Sequence, residues 1–171
     1  MRFKGVSGDF TARQLVLSCA LLAFVMTLLI LVLSDRFMLA IPRMHDQCLN
    51  WNVGILDKYD RKVSRGKTYA FYSLNIPGRK DGLLLVKRFV GTPLDLTEVT
   101  PSQDVLINGR KAGHGLEVGM TLKVKPEFFT RKNVLDFGRY WGLGDRFGSY
   151  DSRYWGSIDE SQIAGRLHIL F

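Results

Sequence analysis

Gly144-Asp145-Arg146-Phe147-Gly148-Ser149-Tyr150-Asp151-Ser152-Arg153-Tyr154-Trp155-Gly156 is the stretch around which the rest of the chain is read. Glycine stands at both ends and in the middle, where backbone angles closed to other residues come within reach. Acid and base alternate with large aromatics. From an extended segment Asp151 and Arg153, two positions apart, point the same way and can pair. Tyr154 and Trp155 can wall a site while turning a polar edge to water. Composition leaves two readings open: a loop stapled for stability, or part of a reactive site.

Working outward, the second informative stretch is Leu83-Leu84-Leu85-Val86-Lys87-Arg88-Phe89-Val90-Gly91-Thr92-Pro93-Leu94-Asp95. In a regular strand Lys87 shares a face with Leu85 and Phe89, and Arg88 takes the other. A lysine held among apolar neighbours gives up its proton more readily, and a neutral amine is a usable general base. The alternative is a lysine that snorkels to water at a strand edge.

These residues carry a resemblance. Ser149 to Gly156 is similar, without a gap, to the end of the last box of the type I signal peptidase family, Gly-Asp-Asn-Arg-x-x-Ser-x-Asp-Ser-Arg-x-Trp-Gly. The first half is one residue short, and Arg146 stands where the family has Asn. Lys87, Arg88, Val90, Gly91, Pro93 and Asp95 match the family's Lys-Arg-x-Ile/Val-Gly-x-Pro-Gly-Asp in register, with Leu94 replacing the second glycine. Asn108-Gly109-Arg110 follows where the family has a Val-Asn-Gly-Lys hairpin. Arg65 to Phe71 loosely resembles Gly-Asp-x-Val-x-Phe, with Lys67 in place of the Asp.

The resemblance implies Lys87 as general base, Ser149 as the serine that orients it, and Asp151 with Arg153 as a salt-bridged brace. Without it, Asp151 and Arg153 read equally as a surface pair worth little. The family's Ser-Met-x-Pro-Thr nucleophile box has its best-placed counterpart in Cys48-Leu49-Asn50-Trp51, which supplies the apolar second residue but no proline. Cys48 thus takes the place of the nucleophilic serine. Thiols ionise near pH 8.5, and lower beside a cation, so sulfur needs less help than a hydroxyl. The backbone N–H of Cys48 would serve as oxyanion donor. The family's second donor falls on Asp46, which cannot donate when ionised. The rival readings are a dead pocket, a small buried cysteine, or a Cys-His arrangement with His45. His114, His168, Trp141 and Trp155 receive no catalytic role.

The rest of the chain is read for agreement. Its 171 residues allow one ordinary domain plus an appendage. The net charge of +8 comes from scattered basic residues and no nucleic-acid motif is present, so nucleic acid is excluded as a partner. Two cysteines, Cys19 and Cys48, offer neither a disulfide framework nor zinc spacing, and no metal or cofactor is expected. Leu15 to Leu33 carries no charge; at about 1.5 Å per residue it nearly spans a hydrocarbon core of about 30 Å. Arg2, Lys4 and Arg13 precede it, which favours a cytoplasmic N-terminus and an exported remainder. A cleaved signal peptide would have a shorter apolar run and a better small-x-small site than Met38-Leu39-Ala40.

Strand patterns appear at Val53–Leu56, Lys67–Leu74, Leu83–Val90, Val105–Ile107 and Leu167–Phe171. Leu122-Lys123-Val124-Lys125-Pro126 alternates briefly, Ile76–Gly82 reads as a turn, and Asn108-Gly109 is a hairpin signal. The expected fold is mostly β: residues 1–14 cytoplasmic, 15–33 a transmembrane helix, 34–171 a signal-peptidase-like β domain outside the membrane. The expected function is a single-pass inner-membrane endopeptidase with a periplasmic domain. Its substrate would be an exported peptide precursor such as a conjugative pilin, and a type IV secretion or conjugation apparatus would be its setting. The alternative is a catalytically inactive subunit of such an apparatus, motivated by Asp46, Asn50 and Lys67 at motif positions.

Overall fold

The computed structural model describes residues 12–42, 48–146 and 148–171. The expectations for His45 and Asp46 lie outside the described residues. The chain divides into two units, Met1–Arg36 and Phe37–Phe171.

In the first unit, α1 (Ala12–Arg36) encloses the uncharged run. Leucine, valine, isoleucine and phenylalanine point outward all around it, and Leu17, Leu22, Phe24 and Leu31 are all about 60% exposed or more. A helix apolar on every side has no aqueous face to present. It is long and apolar enough to cross a membrane.

The second unit is built from antiparallel strands. They are β1 (Phe37–Ala40), β2 (Gly54–Asp57), β3 (Thr68–Tyr72), β4 (Leu84–Gly91), β5 (Leu96–Val99), β6 (Asp104–Ile107), β7 (Arg110–His114), β8 (Arg131–Val134), β9 (Arg139–Leu143), β10 (Ile158–Asp159) and β11 (Ile163–Ile169). Two short helices interrupt them, α2 (Glu117–Thr121) and α3 (Ser152–Trp155). A seven-stranded sheet runs β1-β2-β11-β3-β4-β9-β10, and a four-stranded sheet runs β7-β6-β5-β8.

Local sequence explains much of this. Asn108 (φ 51°) and Gly109 (φ 76°) both sit in the left-handed region and close the β6–β7 hairpin. β3 and β4 pair Tyr69 with Lys87 and Phe71 with Leu85, so an aromatic-rich face stacks over one side of the sheet. Tyr69, Phe71, Phe89 and Ile163 are buried together there. Val99, Val105, Trp141, Leu143 and Tyr154 form a core shared by β5, β6, β9 and α3. Leu49, Trp51, Leu56 and Leu167 make a third.

Three expectations need correction. Leu122 to Pro126 is not a strand: Lys123 has φ 56°, and Pro126 opens a 3₁₀ turn, Pro126–Phe129. A residue in the left-handed region breaks an extended run, and proline suits the first helical position. Trp141 and Tyr154 belong to the core, so Tyr154 does not wall a site with a wet edge; its hydroxyl accepts the Val118 N–H at 3.1 Å. The closing strand starts earlier than its apolar end suggested, at Ile163, because Gly165 lets β11 pass tightly against the Asp57 backbone.

A second carboxylate hub ties the β4 exit to the sheets. Asp95 accepts the Thr92 N–H at 2.7 Å, Arg65 Nη2 at 2.7 Å and Asn108 Nδ2 at 2.7 Å. Burial alone would raise its pKa, but these hydrogen bonds together hold the carboxyl below the ordinary 3.8. The residues of three motif stretches therefore converge on one carboxylate.

Candidate active site

β4 delivers Lys87. Its register places Arg88 opposite Leu143 and Phe89 opposite Gly142 on β9. Lys87 accordingly faces the same side as Phe89, and at 2% exposure it is buried, not snorkelling. Its nitrogen-bearing end stays inside because two features receive it. Gly142 leaves the room: a Cβ there would lie 3.0 Å from the Lys87 Cβ and 3.1 Å from Ile158 Cδ1. Ser149 supplies the partner, with Lys87 Nζ donating to its Oγ at 2.8 Å. A buried amine without such an acceptor would be costly.

Ser149 is fixed by the segment that follows it. Asp151 caps α3, accepting the Arg153 N–H. Arg153 folds back onto it in a two-pronged pair, Nε to Oδ1 at 2.9 Å and Nη2 to Oδ2 at 2.8 Å. The two residues are 0% and 4% exposed, so the surface-pair reading does not hold. The pairing geometry also differs from the expected one. The residues meet across the first turn of a helix, where the cap bends the chain, and not along an extended segment. Every remaining donor is used. Arg153 Nη1 reaches the His114 and Gly115 carbonyls at 3.0 and 2.8 Å, and Nη2 reaches the Ser149 carbonyl at 3.2 Å. Asp151 Oδ2 also accepts the Gly144 N–H at 2.9 Å. Burial opposes the Arg153 charge, but its hydrogen bonds to Asp151 outweigh that and raise its pKa above the ordinary value. Buried Ser152 adds one more brace, its Oγ accepting the Gly142 N–H at 3.0 Å.

Cys48 comes from the turn that precedes β2, and it is a half-buried free thiol. Leu49 and Trp51 are buried to either side of exposed Asn50, so alternate residues plug the turn into the core. The carbonyl of Cys48 accepts the Arg146 N–H at 3.1 Å. Gly144 brings the halves together. A Cβ on Gly144 would sit 2.0 Å from Ser149 Oγ and 2.7 Å from the Cys48 carbonyl oxygen. The nucleophile-box backbone and the serine bonded to Lys87 thus flank one side-chain-free position.

Sequence reading missed three contributors. Gly142 and Gly144 occupy alternate positions at the end of β9, and that Gly-x-Gly spacing is a legible signal of a trough on one strand face. Arg146 was noted only as a departure from pattern. In the structure its Nε donates to Asn50 Oδ1 at 2.9 Å. Two positions where the chain departs from the family boxes therefore touch each other. Lys67 is exposed, and its carbonyl accepts the Phe89 N–H at 2.9 Å. Cys19 is also a free thiol. Among the described residues, no group of histidine, cysteine and carboxylate side chains is gathered to hold a metal.

The antiparallel β fold thus buries a lysine against a serine beside the Cys48 turn. The family model described as "Signal peptidase, peptidase S26" matches residues 12–171, and the chain belongs to that family. It is 35% identical over 100 residues to signal peptidase IB of Staphylococcus aureus strains Mu50 and N315, covering 50% of this chain and 52% of theirs. The chain thus spans about half the length of these curated relatives. A solved signal peptidase I from Enterococcus faecalis V583 aligns at TM-score 0.40 and 26% identity, over 66% of this chain and 99% of that one.

Proposed function

We propose that the chain is a membrane-anchored endopeptidase that uses Cys48 and Lys87 to cut exported precursors. The observation that carries this reading is the buried Lys87–Ser149 pair, set across Gly144 from the backbone of Cys48. An amine sheltered from water and aimed by a hydroxyl is suited to moving a proton.

The Cys48 thiol loses its proton to Lys87 Nζ as sulfur attacks the peptide carbonyl carbon. The oxygen takes up the electron pair and is held by the Cys48 N–H. Collapse of this intermediate breaks the C–N bond, and the leaving amine takes the proton from Lys87. The thioester left on Cys48 is then attacked by water or by an amine, which passes a proton through Lys87 back to sulfur. Water releases a carboxylate; an amine of the same peptide closes a ring. Asp151 and Arg153 take no part in proton movement and keep Ser149 in place.

The setting follows from α1. Its apolar surface and the basic residues before it favour a single pass through the bacterial inner membrane, with the β domain in the periplasm. A small exported precursor, such as a pilin of a conjugation system, suits a compact anchored domain. The test is processing of such a precursor by the full chain in cells. Cys48→Ala and Lys87→Met should each lower it by about a thousandfold or more. Unchanged processing in both would leave the inactive-subunit reading standing. A thiol probe gives a second reading: Cys48 should label faster than free cysteine at neutral pH, and Lys87→Met should slow it.

A further inference from the structure

Behind the proposed site lies a second feature that the reaction does not use. A cavity of about 340 Å³ opens on the opposite face of the β4–β9 ribbon from Lys87. Arg88 and Leu143, which are paired across the two strands, both line it. Its floor is low because Ala112 and Gly113 on β7 carry almost no side chain. Its walls are basic: Arg88, His114, Arg146 and Arg153, against the single acid Asp145.

The charges there are unevenly matched. Asp145 is taken by Arg88 at 2.5 Å, Asp104 by Lys111 at 2.5 Å and by His114 at 2.8 Å, and Arg153 by buried Asp151 at 2.8 Å and by Glu117 at 4.0 Å. Among the described residues, Arg146 makes no ion pair; its Nε is bonded to the neutral amide of Asn50. Arg146 is thus the lining cation left without a carboxylate partner among the described residues, and a carboxylate would pair with it. Its position is equally informative. Gly144 lines the cavity and also separates Ser149 from Cys48. Arg146 lines the cavity and donates its N–H to the Cys48 carbonyl. Gly144 and Arg146 lie just past the end of β9, so an extended peptide, at about 3.3 Å per residue, reaches the cavity around that strand end and not through the sheet.

We propose that this cavity is a specificity subsite for an acidic side chain of the substrate peptide, close in sequence to the cut bond, with Arg146 as its main cation. The proposal rests on the peptidase reading, yet binding can be measured without cleavage. The experiment uses the full Cys48→Ala chain in neutral detergent micelles, near 0.15 M salt, so that long-range attraction by the net charge is screened. Labelled peptides carry one Asp, Ala or Lys at each position flanking a small residue, and affinity is read by fluorescence polarisation.

At one or two adjacent positions Asp should bind about tenfold tighter than Lys. Arg146→Glu should reverse that order, Arg146→Lys should keep it, and Lys80→Glu on an exposed turn should not alter it. Equal affinity of Asp and Lys peptides at every position overturns the proposal, whether or not the wild-type chain cleaves them. So does an acidic preference that survives Arg146→Glu or is spread over all positions. Cleavage of the same peptides by the wild-type chain is scored separately. Its absence with an intact acidic preference counts against the peptidase reading alone.

Discussion

The two halves of the proposed site are braced by different physics. The base half, from Lys87 through Ser149 to Arg153, is held by fully buried polar contacts whose donors and acceptors are matched almost one for one. The nucleophile half, Cys48 to Trp51, is held by apolar plugs, with Leu49 and Trp51 sunk in the core and a lone arginine gripping Cys48 and Asn50 from outside. Polar bracing is directional and fixes angles. Apolar bracing fixes depth and leaves rotation freer. A base must present its lone pair along one line, whereas a nucleophile that swings toward its substrate gains from some freedom.

Gly144→Ala should be the most damaging change, because it strikes both halves at once. The added carbon meets the buried Ser149 hydroxyl and the Cys48 main chain, neither of which is the free end of a flexible side chain. Overpacking of this sort costs about 1–3 kcal/mol, and displacement of the reacting groups should cut cleavage more than a hundredfold. Peptide cleavage and thermal melting, measured together, check it. Asp151→Ala has the smaller direct effect on cleavage but the larger one on the fold. It leaves the buried Arg153 charge uncompensated, a loss of about 3–5 kcal/mol by denaturant titration. A cost under 1 kcal/mol would remove the polar-brace account. Leu49→Ala should cost about 2–5 kcal/mol through its cavity, but with Lys87 and Ser149 still paired. Ser152→Ala removes the acceptor from the buried Gly142 N–H, for about 1–3 kcal/mol. Of these four, Leu49→Ala alone should move Cys48 labelling while leaving the surroundings of Ser149 in an NMR spectrum unchanged.

This contrast also explains what could be read in the chain beforehand. The base half was legible because its polar partners sit close together in sequence, from Gly144 to Gly156, with Lys87 framed by apolar residues of matching parity. Such contacts constrain residue type at fixed spacing. The mostly β fold was legible from short alternating runs, and the Asn108-Gly109 turn from its demand for positive φ. β1, β5, β8 and β9 were not legible as strands; Leu96 to Val99 is apolar only at its two ends and becomes a strand when Val105 to Ile107 and Arg131 to Val134 lie beside it. The depth of Leu49 and Trp51 was hidden for a related reason. A leucine and a tryptophan around an asparagine carry no mark of which core they fill. The helical turn at Asp151 was misread as extended because an acid and a base two positions apart share one face of a strand, and the same pair also meets when the acid caps a helix.

The smallest expected effect on stability tests the lone polar grip on the nucleophile half. Asn50 is exposed, and its bond to Arg146 crosses from the Cys48 turn to the segment that carries Ser149. Exposed contacts of this kind contribute at most about 1 kcal/mol, so Asn50→Ala should melt within a degree or two of the parent. Its effect on turnover should be out of proportion to that. Arg146 would still donate its N–H to the Cys48 carbonyl, but its side chain would no longer tether the turn two residues further on. Cleavage should fall about three- to tenfold in kcat with KM little changed, since the loss is of alignment and not of substrate contact. Asn50→Asp should restore kcat, because a carboxylate accepts the same Nε–H. It should also blunt any preference for acidic peptides, because it supplies the partner that Arg146 otherwise lacks among the described residues. If Asn50→Ala changes melting and turnover in step, the bond is ordinary stability and the two halves differ less than their bracing implies.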